Sequence, residues 1–215
     1  MKVPTAKFTV SGLLVLVCVL AACGGAAAPA GTTADANVTQ SFAVNGDVTV
    51  TITTYAGDVK VNAGGAGQVQ VQVMKHGGGA TDAAAKSDLD NMQLSLNQSS
   101  GKINLTATHR GTVPAGSSVS FIVTMPAGSV VVASAESGKV TIDGVQGGVT
   151  ARTTSGDIIV TNADNNDLVA TTVNGNLTLS GKSLTSLRAS STNGNVSFSG
   201  SLDKNTAANR LDVGN

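Results

Sequence analysis

The sequence predicts an all-β protein: a β-solenoid, similar to a parallel β-helix, in which two facing sheets of short strands are built from coils of about 19 residues. A short sequence motif recurs at intervals of 18 or 19 residues: serine or asparagine, then a turn glycine, then a polar residue and an alternating strand. Its four glycines are Gly138, Gly156, Gly175 and Gly194. Apolar and polar residues alternate after each glycine, as in half-buried strands. The composition includes 26 glycines, 2% aromatic residues and 12% charged residues, which suits short strands and tight turns.

The charge balance argues against a nucleic-acid-binding protein. The 215-residue chain has 13 basic and 13 acidic residues. Without residues 1–22, which include Lys2 and Lys7, 11 basic and 13 acidic groups remain, a net charge of −2. A protein that binds nucleic acid needs a basic face, so we expect no nucleic-acid partner.

Residues 1–22 predict a lipoprotein signal peptide. Lys2 and Lys7 precede an apolar run, Val10 to Leu20, which has the length of a signal-peptide core and is too short to span a membrane. The run ends in four residues that resemble the bacterial lipobox: Leu20, Ala21, Ala22 and Cys23. This resemblance implies cleavage before Cys23, a diacylglycerol on its thiol and a fatty acyl chain, such as palmitate, on its new amino group. The alternative is an ordinary secretory signal that is cut at Ala22 or later.

These features predict an exported bacterial lipoprotein on the extracytoplasmic side of the cell envelope, with the lipid bilayer as its partner through Cys23. Cys18 leaves with the signal peptide and Cys23 is lipidated, so no disulfide can form in the mature protein. Residues 23–37 contain the lipidated cysteine followed by glycine, alanine, proline and threonine with a single charge, Asp35. This composition predicts a flexible linker.

The domain that follows is predicted to span residues 38–200. Its first part contains four alternating segments that predict strands: Phe42–Val44, Val48–Ile52, Val59–Val61 and Val69–Val73. Gly57 lies in the phrase Ala-Gly-Asp-Val-Lys-Val, an outlying copy of the repeat. His76 and the three glycines after it are interpreted as a flexible turn, because the chain has no Gly-x-Ser-x-Gly elbow that would make them an oxyanion-hole loop.

One short helix, a hairpin and a long strand are predicted before the repeats. Thr81 can cap a helix from Asp82 to about Met92. Met92–Leu96 and Ile103–Ala107 predict a hairpin, and Val119–Met125 predicts a strand that ends at Pro126.

Each repeat is predicted to supply two strands whose alternate residues point inward and stack in columns. One column contains Val140, Ile158, Leu177 and Val196, and a second contains Ile142, Val160, Leu179 and Phe198. Residues 201–215 are predicted to be a C-terminal cap, in which Leu211 and Val213 dock, or a frayed tail. The alternative fold is an antiparallel β-sandwich, since four short hairpins give a similar alternation.

Together these features resemble the putative-adhesin domain family of bacterial surface proteins. The resemblance rests on the lipobox, the Gly-Asp-Val-x-Val strands, the short helix, the strand that ends Met-Pro-x-Gly, and the serial Ser/Asn-Gly coils. It implies surface exposure and no catalytic residues. The last two phrases depart from the pattern, with Asn176 and Asn195 in place of aspartate.

No candidate catalytic residue, cofactor site or metal site emerges from the sequence. The oxygen-rich segment Asn162–Asp167 lacks calcium-loop spacing and is interpreted as a solvated loop. His76 and His109 have no second ligand at metal spacing, and His109 is interpreted as a surface residue. Arg152 and Arg188 are predicted on one outward face and interpreted as solubilising.

The function predicted from the sequence is a non-catalytic binding or adhesion module, with a glycan or an envelope protein as ligand. The first alternative is a structural protein that self-associates through its solenoid edges. A lipid-anchored regulatory accessory and a carbohydrate-active β-helix enzyme are further alternatives; the chain has one glutamate, Glu136, and lacks the clustered carboxylates of such enzymes.

Overall fold

The computed structural model describes residues 32–164, 167–203 and 209–214, which contain sixteen strands and one helix. In chain order these are β1 (Thr32–Ala43), β2 (Thr49–Ala56), β3 (Val59–Gly64), β4 (Gln68–Gly79), α1 (Asp82–Asn91), β5 (Met92–Ser99), β6 (Lys102–His109), β7 (Ser118–Pro126), β8 (Val130–Ser137), β9 (Val140–Asp143), β10 (Val149–Ser155), β11 (Ile158–Asp164), β12 (Asp167–Asn174), β13 (Leu177–Leu184), β14 (Ser186–Asn193), β15 (Val196–Leu202) and β16 (Arg210–Val213). The one helix in these ranges, α1, is not long and apolar enough to cross a membrane.

The strands form two eight-stranded sheets that enclose the core. Sheet A has the order β1-β4-β7-β3-β9-β11-β13-β15, and sheet B has the order β16-β14-β12-β10-β8-β2-β6-β5. From β8 onward the chain alternates between the two sheets, and each strand pairs in parallel with the strand one coil away. The predicted all-β solenoid is confirmed, and the antiparallel sandwich is wrong for the repeats.

The predicted columns are present in register. Val140 pairs with Ile158, Ile158 with Leu177, and Leu177 with Val196. The first three are at most 1% exposed, whereas Val196 is half-buried in the last coil. Burying each such aliphatic side chain stabilises the fold by about 1.5–3 kcal/mol.

The outlying copy of the repeat is a full coil of the same stack. β2 pairs in parallel with β8, and β3 pairs in parallel with β9, so Val59 lies beside Val140. Gly57 therefore lies in the coil next to Gly138. The two coils are distant in sequence: Lys139 N–H donates a hydrogen bond to Asp58 Oδ1, 81 positions earlier in the chain. Antiparallel pairs flank this region, namely β1 with β4, β4 with β7 and β5 with β6.

Two predictions for the N-terminal half are corrected by these strands. β1 begins at Thr32, inside the segment 23–37 for which a flexible linker is predicted, because its backbone pairs with β4. His76–Gly79 is not a turn but the end of β4. The glycines there allow α1 to pack closely, since a Cβ on Gly77 would overlap the carbonyl oxygen of Ala85.

The predicted helix cap is present, whereas the C-terminal end differs from its prediction. Thr81 caps α1 by accepting a hydrogen bond from Ala84 N–H at 3.2 Å. At the other end of the chain β16 pairs in parallel with β14 and extends sheet B. The predicted docking of Leu211 and Val213 is wrong, because these side chains are 52% and 54% exposed.

Candidate binding surface

The predicted site residues divide into two groups. Leu20, Ala21, Ala22 and Cys23 lie outside the described residues, so lipidation stays a prediction. The turn glycines lie in a column where the chain passes from one sheet to the other. They have a structural role, which explains why glycine recurs there.

The glycine column is required by close backbone approach. A Cβ added to Gly138, Gly156, Gly175 or Gly194 would overlap the carbonyl oxygen of the turn glycine in the preceding coil, and one on Gly57 would overlap the carbonyl of Val119. Such overlap with backbone cannot be relieved by rotating a side chain. Gly156 also has a φ of +149°, in the region that favours glycine.

A column of buried hydroxyls satisfies the carbonyls of these turns. Thr172 Oγ1 donates to the carbonyl of Gly156 at 3.0 Å, and Ser191 Oγ donates to that of Gly175 at 2.8 Å. Thr153 makes the same bond to Gly138 at 3.3 Å. A buried hydroxyl would cost free energy without such a partner, which explains why threonine and serine are tolerated inside the core.

Side chains next to the glycines form a hydrogen-bonded ladder along the stack. Asp157 Oδ1 accepts from Asn176 N–H at 2.7 Å, and Asn176 Oδ1 accepts from Asn195 N–H at 3.0 Å. Asparagine can replace aspartate in this position because each needs only to offer one oxygen to the next coil. The ladder connects the turns of three successive coils.

The outer face of sheet B carries an open groove at its C-terminal end, with a volume of about 630 Å³. Three exposed arginines line it: Arg152 on β10, Arg188 on β14 and Arg210 on β16. Thr171 and Ser190 lie between them, half-buried. The sequence places Arg152 and Arg188 correctly on one outward face, but the groove also includes Arg210, which lies in the C-terminal segment 201–215 and was not predicted to belong to this face.

The interpretation of Asn162–Asp167 as a solvated loop is wrong for most of the segment, because residues 162–164 are the end of β11 and Asp167 begins β12. Asp143 accepts from Thr161 Oγ1 at 2.6 Å and from Asn162 Nδ2 at 2.8 Å, and these hydrogen bonds lower the pKa of the Asp143 carboxyl. Asp164 Oδ1 accepts from Lys182 N–H at 2.9 Å. Within the described ranges no three histidine, cysteine or acidic residues cluster as metal ligands.

One buried polar cluster was missed by the sequence analysis. His109 Nε2 lies 2.7 Å from Asp88 Oδ1, and both side chains are 2% exposed, so the surface interpretation of His109 is wrong. Gly78 N–H donates to Asp88 Oδ2 at 3.0 Å, and the Tyr55 ring packs edge-on against His109 at 5.6 Å. Burial raises the pKa of the Tyr55 hydroxyl, which lies 3.3 Å from Ser117 Oγ. The cluster joins α1 to sheet B.

These features define a stack of two-sheet coils with a polar groove on one sheet face. The chain belongs to the Toastrack DUF4097 family, whose family model matches residues 29–215. The predicted relationship to putative adhesins is confirmed at the level of family and fold. None of the curated proteins compared with the chain matches it.

Several solved structures are similar to this one. A putative cell adhesion protein from Clostridium sporogenes ATCC 15579 is 6% identical, with a TM-score of 0.40 and coverage of 82% of this chain and 98% of that chain. A putative adhesin from Bacteroides fragilis NCTC 9343 is 12% identical, with a TM-score of 0.42 and coverage of 83% and 93%. A putative lipid binding protein from Parabacteroides distasonis ATCC 8503 is 7% identical, with a TM-score of 0.30 and the same coverage.

Proposed function

We propose that this protein is a lipoprotein of the bacterial cell envelope, anchored through Cys23, whose β domain is a non-catalytic binding module on the extracytoplasmic side of the membrane. The observation that carries the binding role is the groove on sheet B, in which exposed arginines and hydroxyl groups face solvent on a hydrogen-bonded sheet. A rigid sheet holds the backbone that carries these groups at fixed spacing, so little backbone freedom is lost when a ligand binds.

The anchor is supported by the lipobox and by the position of the first strand. Thr32 is nine residues after Cys23, so the segment between them spans at most about 32 Å. The β domain would therefore be held close to the lipid. Two or more acyl chains give stable anchoring, at ~0.8 kcal/mol per buried methylene.

The anchor is tested by replacing Cys23 with serine in the full-length chain and measuring detergent-phase partitioning. We expect the C23S variant to move to the aqueous phase. C18S is the matched control, because Cys18 lies in the apolar run that is removed, and it should partition as the unmodified protein does. Unchanged partitioning of C23S would exclude the lipid anchor.

A second candidate function is self-association through the C-terminal end of the stack. β15 and β16 are the end strands of the two sheets, so each has one edge without a neighbouring strand among the described residues. Leu211 pairs in register with Ala189 and Val213 with Ser191, so both continue the inward-facing columns, yet both are more than half exposed. A second copy that stacks on this end would bury them.

Sedimentation of the full-length protein in uncharged detergent, over a concentration series, tests this candidate. Self-association predicts a mass that rises with concentration and falls back to the monomer in the L211D variant. V113D is the matched control, since Val113 is a comparably exposed valine away from this end. A monomer at every concentration would contradict the assembly function.

A further inference from the structure

We propose that the groove on sheet B binds an anionic polysaccharide, with Arg152 and Arg188 contacting carboxylate groups carried along the polymer. The inference deepens the proposed binding function, on which it rests, by naming the ligand class of the same surface. It is carried by the charge of the groove, the spacing of its arginines and its distance from the anchored strand.

Arginine is concentrated in this groove. The chain has four arginines, and three of them line it; Asp212 is the one carboxylate among its described lining residues. Asp212 is paired with Arg210 on the same strand. Among the described residues no carboxylate lies within ion-pair distance of Arg152 or Arg188. The two guanidinium groups are therefore available to an external anion, and their planar forks match carboxylate oxygens.

The sheet register fixes the spacing of these charges. Arg188 lies beside Arg210 on the neighbouring strand, whereas Arg152 is aligned with Thr171 and Ser190, two strands away from β14. With strands about 4.8 Å apart and about 3.4 Å per residue, the Cα atoms of Arg152 and Arg188 are about 12 Å apart. The positive charges are thus spread along the sheet, with hydroxyl groups between them.

This arrangement favours an extended polymer over a small anion. An ion pair at an exposed site contributes little by itself, because water and salt screen it. A polymer with repeated carboxylates can contact several arginines at once, and each further contact is then intramolecular. None of the described residues that line the groove is aromatic, so this part of the chain offers no ring on which an uncharged sugar could stack.

The position of the groove favours a polymer over the headgroups of the anchoring membrane. β1, which begins at Thr32 near the proposed anchor, is the first strand of sheet A, and β15 is the eighth. Seven strand spacings separate them by about 34 Å. The groove lies on β10, β12, β14 and β16, the four strands of sheet B toward the β15 end, so even its nearest strand, β10, is four strand spacings, or about 19 Å, from the opposite end of that sheet.

The test measures equilibrium binding of the full-length protein, in an uncharged detergent, to polygalacturonate. We expect binding that weakens as salt is added, with no binding to uncharged dextran. R152Q and R188Q should each weaken binding by about fivefold, and R152Q/R188Q by about twentyfold. D212N, which releases Arg210, should strengthen it about twofold.

The matched control is K60Q/K102Q, which removes two positive charges from exposed positions outside the groove. Lys60 is on the outer face of sheet A and Lys102 is on β6, at the other end of sheet B. This variant should bind within about twofold of the unmodified protein. Circular dichroism of each variant should be unchanged, because all these side chains are exposed.

Three results would overturn the inference: absence of binding to polygalacturonate, equal weakening in K60Q/K102Q, or displacement of bound polygalacturonate by the soluble lipid headgroup glycerophosphoglycerol or by duplex DNA at a lower concentration than free polygalacturonate requires. The anchor is measured separately by the partitioning of C23S. If the protein partitions as expected but does not bind polygalacturonate, only the proposed ligand class is contradicted. If C23S partitioning contradicts the anchor, the result for the groove is unaffected.

Discussion

His109 Nε2 and Asp88 Oδ1 lie 2.7 Å apart, and each side chain is 2% exposed. The pair connects β6, through His109, to α1, through Asp88, and Asp88 also receives the N–H of Gly78 from β4. A buried charge that loses its partner is costly. Asp88 therefore connects α1 to a strand of each sheet, β4 and β6.

Replacing Asp88 with alanine should lower the free energy of unfolding by about 3–5 kcal/mol, because the N–H of Gly78 and the His109 imidazole lose a buried acceptor. Urea unfolding at pH 7 measures the change. Asp90→Ala is the control on the same helix, and its exposed side chain should change the free energy by at most about 0.5 kcal/mol. Equal effects would show that the pair contributes nothing specific.

The free energy of unfolding should also depend on pH through the Asp88 carboxyl. Burial acts to raise the pKa of its carboxyl, and hydrogen bonds from His109, Ser117 and the Gly78 N–H lower it by more, so the pKa lies below the ordinary value of 3.8. The folded state therefore favours the ionised form, and this contribution is complete above pH 3.8 and is lost as the pH falls through the folded-state pKa. The difference in unfolding free energy between the unmodified protein and Asp88→Ala should narrow below pH 3.8. A constant difference would contradict this assignment.

Gly175→Ala should destabilise the fold by about 2–4 kcal/mol, because the new methyl group overlaps the Gly156 carbonyl oxygen, a backbone atom that cannot move aside. Gly148→Ala is the control, since its Cβ would lie 3.7 Å from Val130 Cγ1, an ordinary contact. That change should be neutral or stabilise by up to about 1 kcal/mol. The midpoint of thermal unfolding is measured for both variants. Equal midpoints would contradict the conclusion that close backbone approach requires glycine in this column.

Ile158→Asp should unfold the repeats, because it buries a carboxylate where the side chain is fully enclosed between the sheets. We expect a loss above about 4 kcal/mol. Ile159→Asp, one residue later, places the same group on the half-buried outer face of β11 and should cost far less. Far-ultraviolet circular dichroism and urea unfolding distinguish them. A folded Ile158→Asp variant would contradict the assigned register.

The repeats were predictable from the sequence because their information is local. A glycine every 18 or 19 residues and alternation after it determine which residues face inward, and the structure pairs Ile142 with Val160 and Leu179 with Phe198 as expected. Strand direction follows as well, since a constant period requires each coil to repeat the path of the one before.

The remaining features depend on contacts that are distant in sequence. The Thr32 end of β1 has the composition of a linker and becomes a strand because β4 offers it an edge. His109 is predicted to be a surface residue because nothing in its local sequence shows that α1 packs beside it and places Asp88 in contact with its ring. The groove likewise depends on Arg210 being placed next to Arg188 by the pairing of β16 with β14. Alternation gives the face on which a residue lies and not its neighbours there.

The glycine column has a consequence for how the length of this protein can change. Gly156 meets Gly138 on one side and Gly175 on the other, and the contact is the same in kind at each step. A duplicated segment from Gly156 to Asn174 would therefore find a matching surface above and below, and would raise the stack by one layer of about 4.8 Å. Gene duplication can thus lengthen the stack in increments of one coil, and this duplication would add a strand to the groove between Arg152 and Arg188.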